Sequence, residues 1–181
     1  MSSKYSVGEQ LDSRSLYERQ KKYRADHSNL PAPIIVAVQL QSPENMGSVL
    51  RLADAADSVQ VIFVSDSDAS HSLKQIQRAA RHADTLVNWE VWTEEKFVDC
   101  SQTFQPLIAV ELTTSSESIF ESTFPEKCAF VIGNEQHGIP ASLLSKCQRA
   151  VHIPMFGVNS SMNVTHALAI ALFEWRRQRS K

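Results

Sequence analysis

Three short segments of the chain combine glycines, amides and charged side chains at spacings that could support chemistry. Residues 42–51 read SPENMGSVLR, residues 133–140 read GNEQHGIP, and residues 153–164 read IPMFGVNSSMNV. The first two follow continuously apolar runs, which are typical of buried strands. Because open α/β sheets bind ligands beyond the carboxyl ends of their strands, we expect the three segments to meet at one ligand-binding edge.

The first segment is predicted to open a helix over residues 45–57, with Asn45 as its N-cap. The apolar stripe of this helix begins at Met46 and ends at Ala53. At 100° per residue, Arg51 lies about 150° from the centre of that stripe, so its guanidinium is expected to project off the packed face. An ordinary solvated arginine would occupy the same position, and this segment alone does not separate the two interpretations.

The other two segments pair glycines with polar side chains. Gly133 and Gly138 frame a loop whose backbone can approach a ligand, with the carboxylate of Glu135 beside it. Ser160 or Ser161 is predicted to cap the final helix and to aim its backbone N–H groups outward. The alternatives are a glycine turn without a ligand and methionines that only fill the core. Because GxGxxG and GxxxxGKS/T are both absent, a dinucleotide fingerprint and a P-loop are excluded.

Composition narrows the class of protein further. The chain has 181 residues, of which 43% are hydrophobic and 21% charged, so a single globular domain with a short appendage is expected. Its three cysteines show no CxxC spacing, and no His, Asp or Glu cluster has ligand spacing, so neither a disulfide framework nor a metal site is predicted. The start of the chain lacks a signal-peptide core, and no apolar run reaches membrane-spanning length. A cytoplasmic protein is therefore expected.

The net charge of −2 is unevenly distributed along the chain. Residues 1–30 carry +2 and residues 175–181 carry +4, which leaves −8 for the middle. Basic ends that flank an acidic body indicate a grip on a polyanion such as RNA. For the tail alone, solvated basic residues at a helix end are an equal alternative. The candidate RNA-binding residues of the two ends are Lys21, Lys22, Arg24, Arg176 and Arg177.

Short apolar runs alternate with helical patterns through the body of the chain. Strands are predicted at residues 34–38, 59–64, 86–92, 107–110 and 128–132, and helices at 45–57, 72–83, 93–100 and 141–146. This alternation predicts an α/β fold, with a mainly parallel sheet and helices on both faces. The predicted organisation is a basic helical N-terminal extension (1–30), a main domain (31–174) and a basic C-terminal tail (175–181).

The final helix is apolar over more than one face. Its stripe runs from Val164 to Trp175 at i, i+3, i+4, i+7 spacing, and Ile170 and Phe173 widen it. A sheet could cover one face and a second subunit the other, although a single large core is the simpler interpretation.

Taken in order, the three segments resemble the SpoU or TrmH-type branch of the SPOUT RNA methyltransferases. The pattern is N-x-G-x-x-x-R at residues 45–51, I-G-N-E-x-x-G at 132–138 and I-P-M-x-G-x-x-x-S-M-N-V-T at 153–165. Each motif is weak by itself, whereas the ordered set is highly specific. Met162 stands where leucine is common in the family, an apolar exchange that should be tolerated.

The resemblance implies transfer of a methyl group from S-adenosylmethionine to a ribose 2′-hydroxyl of RNA. It also implies a C-terminal trefoil knot in the sheet and a homodimer packed around the knot and the final helix. The cofactor-binding residues carried over from the family are Leu112, Gly133, Ile153, Met162 and Ser161. The catalytic residues carried over are Arg51, Asn45, Glu135, Ser161 and Asn163.

Within that resemblance, Arg51 is interpreted as a phosphate-holding group that stabilises a developing alkoxide, because a guanidinium does not lose its proton in proteins. Glu135 or a phosphate oxygen is the candidate proton acceptor, and His137, which matches no motif position, is interpreted as a loop histidine. Large rRNA-directed members of the family usually bear a separate N-terminal RNA-binding domain. Since only thirty residues precede the first predicted strand, tRNA is the favoured substrate.

Two other functions compete with this prediction. A catalytically silent RNA-binding dimer of the same fold would methylate nothing, but it has no chemical reason to keep Asn45, Arg51, Glu135 and Asn163 together. A doubly wound domain that binds a nucleotide other than RNA would need a phosphate loop, which the sequence lacks.

Overall fold

The computed structural model describes residues 8–27, 30–65, 73–104 and 106–179. The chain divides into two compact units, residues 1–30 and residues 31–181. In the first unit, helix α1 spans Ser13–Asp26. Asp12 caps it by accepting a hydrogen bond from the Ser15 N–H, and all of its side chains are exposed. The helix therefore forms where the sequence predicts one, and none of its own residues is buried.

The second unit is built on a parallel sheet of seven strands. The strands are β1 (Ile34–Val38), β2 (Gln60–Val64), β3 (Trp89–Trp92), β4 (Leu107–Val110), β5 (Glu117–Ser118), β6 (Ala129–Ile132) and β7 (Arg149–His152). Their order across the sheet is β3-β2-β1-β6-β4-β7-β5. This confirms the parallel α/β prediction. The trefoil knot, which the family resemblance implies, stays a prediction.

In the described part of this unit, six helices connect the strands or follow the last one. They are α2 (Pro43–Ala55), α3 (Leu73–Ala80), α4 (Ala83–Leu86), α5 (Glu94–Cys100), α6 (Ala141–Leu144) and α7 (Val164–Arg177). A 3-10 turn, Ser101–Phe104, follows α5. No described helix is long and apolar enough to cross a membrane.

Two apolar layers cover the sheet, as the period of two along each strand requires. On one face, Ile35, Phe63 and Phe130 pack with buried residues of α2, α3, α4 and α7. On the other face, Val36, Ile62 and Val131 pack with Phe97 of α5 and Leu143 of α6. Because both faces are buried, the central strands read as continuous apolar runs, and this is why the sequence predicts them well.

Two predicted helix caps are wrong. Helix α2 begins two residues earlier than expected, and its N-cap is Ser42, which accepts a hydrogen bond from the Asn45 N–H at 3.2 Å. Helix α7 is capped by Asn163, whose Oδ1 accepts from the Thr165 N–H at 2.8 Å, and not by Ser160 or Ser161. In both cases the chain offers adjacent residues that can cap, and tertiary contacts select one of them.

Helix α7 continues through the predicted boundary between main domain and tail, as far as Arg177. Trp175 is completely buried and donates its indole N–H to the Pro125 carbonyl at 3.0 Å. Arg179 lies over the Trp175 ring, with its guanidinium carbon 4.0 Å from the ring centroid. Residues 175–179 thus pack against the rest of the second unit.

Candidate active site

The parallel sheet gathers the three sequence motifs at one edge. The first motif follows β1, the second follows β6 and the third follows β7, so all lie beyond carboxyl ends of strands. The order β6-β4-β7 also brings Gly133, Leu112 and Ile153 to the ends of three adjacent strands. The structure therefore places these three predicted cofactor-binding residues side by side along the ligand-binding edge of an α/β sheet.

One hydrogen-bond network joins all three motifs. The Asn45 side-chain amide donates to Oε1 of Glu135 at 2.7 Å, and the Asn163 amide donates to Oδ1 of Asn45 at 3.2 Å. Asn45 comes from α2, Glu135 from the loop after β6 and Asn163 from the cap of α7. Asn45 and Asn163 are 118 residues apart in sequence, and these hydrogen bonds fix the three segments to one another.

Glu135 is held as a charged acceptor. Besides Asn45, the backbone N–H groups of Gln41 and Ser42 donate to its carboxylate at 3.1 and 3.3 Å. Partial burial disfavours the charged form, but the hydrogen bond from Asn45 and those from the two backbone groups outweigh it and lower the pKa of Glu135. A carboxylate with a lowered pKa and several occupied lone pairs is a good anchor and a weak proton acceptor.

The loop after β6 is preshaped by Asn134, a residue that is nearly buried. Its Oδ1 accepts from the N–H groups of Gln136 and His137 at 2.8 and 3.0 Å, and its amide donates to the Gln39 carbonyl at 2.7 Å. Gly138, at φ +68°, closes the loop by a two-way backbone bridge to Asn134. A side chain at Gly133 would overlap the Gly138 backbone, so this close turn requires glycine.

Arg51 is exposed on α2, off the buried stripe, at the position that helical spacing predicts. No hydrogen bond or ion pair joins its guanidinium to another described residue. It lies six residues after Asn45, about 9 Å further along the helix axis. Helix α2 therefore carries both Asn45 of the network and the positive side chain of Arg51, whose donors are all available.

The remaining motif residues line the segment between β7 and α7. Ile153 and Met162 are partly buried, and Ser161 is exposed. Ser161 forms no hydrogen bond with any described residue, so the structure does not draw it into the Asn45–Glu135–Asn163 network. His137 is also exposed and outside that network.

The predicted RNA-binding residues differ in their surroundings. Lys21, Lys22 and Arg24 are exposed on α1. Arg177 is engaged by Glu174 through two contacts of 2.7 Å.

Arg176 is only 15% exposed. It donates to the carbonyls of Ala56, Pro31 and Asp57 at 2.8 to 3.0 Å. These contacts commit the donors of Arg176 to holding α7 against neighbouring loops, and the assignment of Arg176 to RNA stays a prediction.

Sequence reasoning missed two residues of this site, Asn134 and Glu111. Asn134 lies inside the second motif, and an asparagine before a tight glycine loop was an available signal for side-chain bonds to the backbone. Glu111, after β4, accepts from the Ile139 N–H at 3.2 Å, and no sequence pattern marks it. Among the described residues, no group of three or more His, Cys, Asp or Glu side chains could hold a metal ion.

The fold and the edge site define a parallel α/β protein of the SPOUT methyltransferase class. Residues 32–173 match the sequence model of the SpoU rRNA Methylase family. The chain belongs to that family.

Individual relatives agree with this assignment. The chain is 30% identical over 154 residues to the 23S rRNA (guanosine-2′-O-)-methyltransferase RlmB of Haemophilus influenzae, covering 84% of this chain and 63% of the relative. It is also 30% identical over 155 residues to the tRNA (guanosine(18)-2′-O)-methyltransferase TARBP1 of Mus musculus, covering 80% of this chain and 9% of that protein. The chain thus spans less than two thirds of either relative.

Among solved structures, the AdoMet-bound rRNA methyltransferase from Sinorhizobium meliloti superposes with a TM-score of 0.73 at 25% identity. The match covers 83% of this chain and 59% of that one.

Proposed function

We propose that this protein transfers a methyl group from S-adenosylmethionine to a ribose 2′-hydroxyl of RNA. The observation that carries the proposal is the network of Asn45, Glu135 and Asn163, which ties the three family motifs together on the helix that also carries the exposed Arg51. Family membership and the names of the relatives support the same activity.

The carboxyl ends of β6, β4 and β7 offer the kinds of groups that S-adenosylmethionine needs for binding. Adenine has flat apolar faces and a polar edge, so it needs apolar cover together with backbone donors and acceptors. Leu112, Ile153 and Met162 offer accessible apolar surface, and Gly133 offers backbone without a side chain. When bound, the cofactor supplies an electrophilic methyl group. Gly133, Leu112, Ile153 and Met162 would hold it, with Ser161 at the border of the site.

The protein's own residues act mainly by positioning, which can supply a large part of a rate enhancement. Arg51 would hold the phosphate beside the target ribose and stabilise the alkoxide that develops on the 2′-oxygen. Asn45, Glu135 and Asn163 would keep α2, and with it Arg51, in register with the cofactor loops. Because the carboxylate oxygens of Glu135 already accept hydrogen bonds from Asn45, Gln41 and Ser42, we assign the proton of the 2′-hydroxyl to an RNA phosphate oxygen and not to Glu135.

The RNA partner is proposed to be tRNA, gripped through phosphates by Lys21, Lys22 and Arg24 of α1. One relative is named as a tRNA enzyme and another as an rRNA enzyme, so the names alone do not decide between the two. A basic helix with exposed cations supplies the sequence-independent part of RNA binding.

We further propose that the protein acts as a homodimer through the outer face of α7 and the loop before it. Phe173 on α7 is half exposed, and Phe156 in the loop is 95% exposed. An apolar helix face that stays accessible in the single chain is a candidate surface for a second copy of the chain.

The experiment that tests the function combines purified protein, S-adenosylmethionine labelled in its methyl group, and bulk tRNA or rRNA in separate reactions. A 2′-O-methyl group blocks alkaline cleavage, so labelled dinucleotides that survive alkali are the expected product, from tRNA more than from rRNA. Label in rRNA alone would overturn the tRNA assignment. RNA binding without any transfer would identify the silent RNA-binding dimer instead.

A further inference from the structure

Glu111 follows β4 and belongs to none of the three motifs. Its Oε2 accepts from the Ile139 N–H at 3.2 Å, and its Oε1 accepts from the Leu112 N–H at 3.1 Å. One carboxylate therefore joins the end of β4 to the loop that follows β6. Both segments contribute residues to the proposed cofactor site.

The loop at residues 133–139 is held from two sides. On the β1 side, Asn134 donates to Gln39, while Glu135 accepts from Gln41, Ser42 and Asn45. On the β4 side, within the described residues, Glu111 makes the side-chain hydrogen bond that reaches this loop. Because β6 lies between β1 and β4, these contacts act as opposing supports for the loop that leaves β6.

Glu111 also fits closely against Gly138. A Cβ atom built on Gly138 would lie 2.5 Å from Oε2 of Glu111, closer than real carbon contacts allow. Gly138 has φ +68°, a conformation that glycine adopts without strain. The carboxylate and the glycine are thus a matched pair, since any side chain at residue 138 would push Glu111 away from the Ile139 N–H.

We propose that Glu111 is a positioning residue that holds the loop at residues 133–139 in its cofactor-binding shape, so that affinity for S-adenosylmethionine depends on a side chain outside the family motifs. This inference rests on the proposed function, because Leu112 and Gly133 are assigned to the cofactor there. Glu111 fixes the distance between the end of β4 and the loop after β6 by its two hydrogen bonds, and it does not need to touch the cofactor.

The test compares Glu111→Ala and Glu111→Gln with wild type, and uses the exposed Glu121→Ala as a control with the same change in charge. Hydrogen exchange of the free protein should become faster at residues 133–139 in Glu111→Ala and be unchanged in Glu121→Ala. A hydrogen bond to a charged group is worth enough that S-adenosylmethionine affinity should fall about tenfold or more in Glu111→Ala. Glu111→Gln, which keeps one acceptor oxygen, should fall between the two.

A kinetic readout separates positioning from a general loss of structure. In Glu111→Ala, KM for S-adenosylmethionine should rise while kcat at saturating cofactor stays near that of wild type. Unchanged loop exchange, or faster exchange with unchanged cofactor affinity, would overturn the inference. If Glu111→Ala does not fold, wild-type affinity and wild-type exchange in Glu111→Gln would overturn it equally. A wild-type protein that does not bind S-adenosylmethionine would overturn the proposed function and the cofactor part of this inference, whereas the exchange measurement would still decide whether Glu111 holds the loop.

Discussion

Arg51 has no structural reason to be an arginine. It is exposed on α2, and no described residue pairs with its guanidinium. We expect Arg51→Ala to leave folding and S-adenosylmethionine affinity near wild type and to slow methyl transfer by at least about a hundredfold, the size of losing one preorganised charge stabiliser. Arg51→Lys should recover little, because an ammonium cannot form the planar two-pronged contact to phosphate.

Isothermal titration of the cofactor and a single-turnover methylation assay at saturating RNA measure the two effects separately. Arg78→Ala, at an exposed arginine on α3, removes the same charge and should transfer the methyl group at the wild-type rate. Normal turnover in Arg51→Ala would remove Arg51 from the mechanism, and lost cofactor binding would make it structural.

Partial burial raises the pKa of Glu135, and the hydrogen bond from the Asn45 amide is the strongest of the contacts that lower it. A carboxyl whose pKa is lowered in the folded state stabilises the fold above its unfolded pKa, and that stability is lost as the pH falls through the folded pKa. Asn45→Ala should therefore raise the pKa of Glu135 and weaken the acid resistance of the fold. Carboxyl NMR titration measures the pKa directly.

The control variant is Asn159→Ala, at an exposed asparagine, which should leave the pKa of Glu135 unchanged. An unchanged pKa of Glu135 in Asn45→Ala would show that the two backbone donors are sufficient to keep it low.

The family motifs in the sequence mark most residues of this candidate site. The sequence does not show which of these residues contact each other in the fold. Asn45 was expected to cap α2, yet Ser42 does so, and the Asn45 side chain is left to bridge Glu135 and Asn163. A local propensity for capping cannot reveal that a partner 90 residues away competes for the same amide. Glu111 was invisible for the same reason, since its partner, Ile139, is near it only in the folded chain.

At the scale of elements, α2 and α3 approach so closely that a glycine is required between them. A Cβ at Gly47 would lie 2.6 Å from the Ala79 carbonyl carbon and 2.7 Å from the Ala80 nitrogen. Gly47→Ala should destabilise the protein by about 1–3 kcal/mol, because backbone atoms of α3 must move and this overpacking exceeds the gain in helix propensity.

Urea unfolding would measure the change in the free energy of unfolding. Gly157→Ala is the matched control, since nothing lies within 4 Å of the position where its Cβ would be. Equal stability of Gly47→Ala and wild type would show that α3 can shift away from α2 at little cost.

The sequence predicts the bounds of the fully buried strands most accurately. Strands β1, β4 and β6 are continuously apolar and were expected within a residue of their observed bounds. Strands β5 and β7 were missed, because Glu117–Ser118 is too short to show a period and Arg149–His152 carries polar residues at both ends. Their pairing with each other and with β4, and not their composition, makes them strands.

At the scale of the whole molecule, the basic charge of the two chain ends serves different purposes. Arg176 is bound to backbone carbonyls of the fold, whereas Lys21, Lys22 and Arg24 lie exposed on α1. Reversing the charge of those three residues of α1 should weaken tRNA binding and reduce the slope of log K against log salt by roughly 0.7–0.9 for each lost phosphate contact. Cofactor affinity should not change.

Filter binding over a salt series measures this slope. Charge reversal at Lys127 and Lys146, which are exposed in the second unit, provides the comparison and should leave the slope as it is in wild type. An unaltered slope in the α1 variant would show that these three cations are only solvated and that RNA binds to another surface of the protein.

Helix α7 has one face that is completely buried and another that is apolar but accessible. Leu168, Ala171 and Leu172 are fully buried, while Phe173 is 50% exposed. A second copy that covers Phe173 would remove its apolar surface from water, and sedimentation at micromolar concentration should then show twice the 20.3 kDa mass of the chain. Phe173→Lys should shift the protein toward the monomer without reducing the stability of the fold, because the side chain contributes little to the core.

Leu86→Lys removes a side chain of similar exposure from α4, outside the proposed interface, and should remain dimeric. A wild-type monomer that still methylates RNA would contradict the proposed dimer as a whole. A Phe173→Lys protein that sediments as a dimer would instead place the interface on another surface. Loss of methyl transfer in the monomeric variant, with cofactor affinity retained in each chain, would show that the two copies together form the surface that receives the RNA.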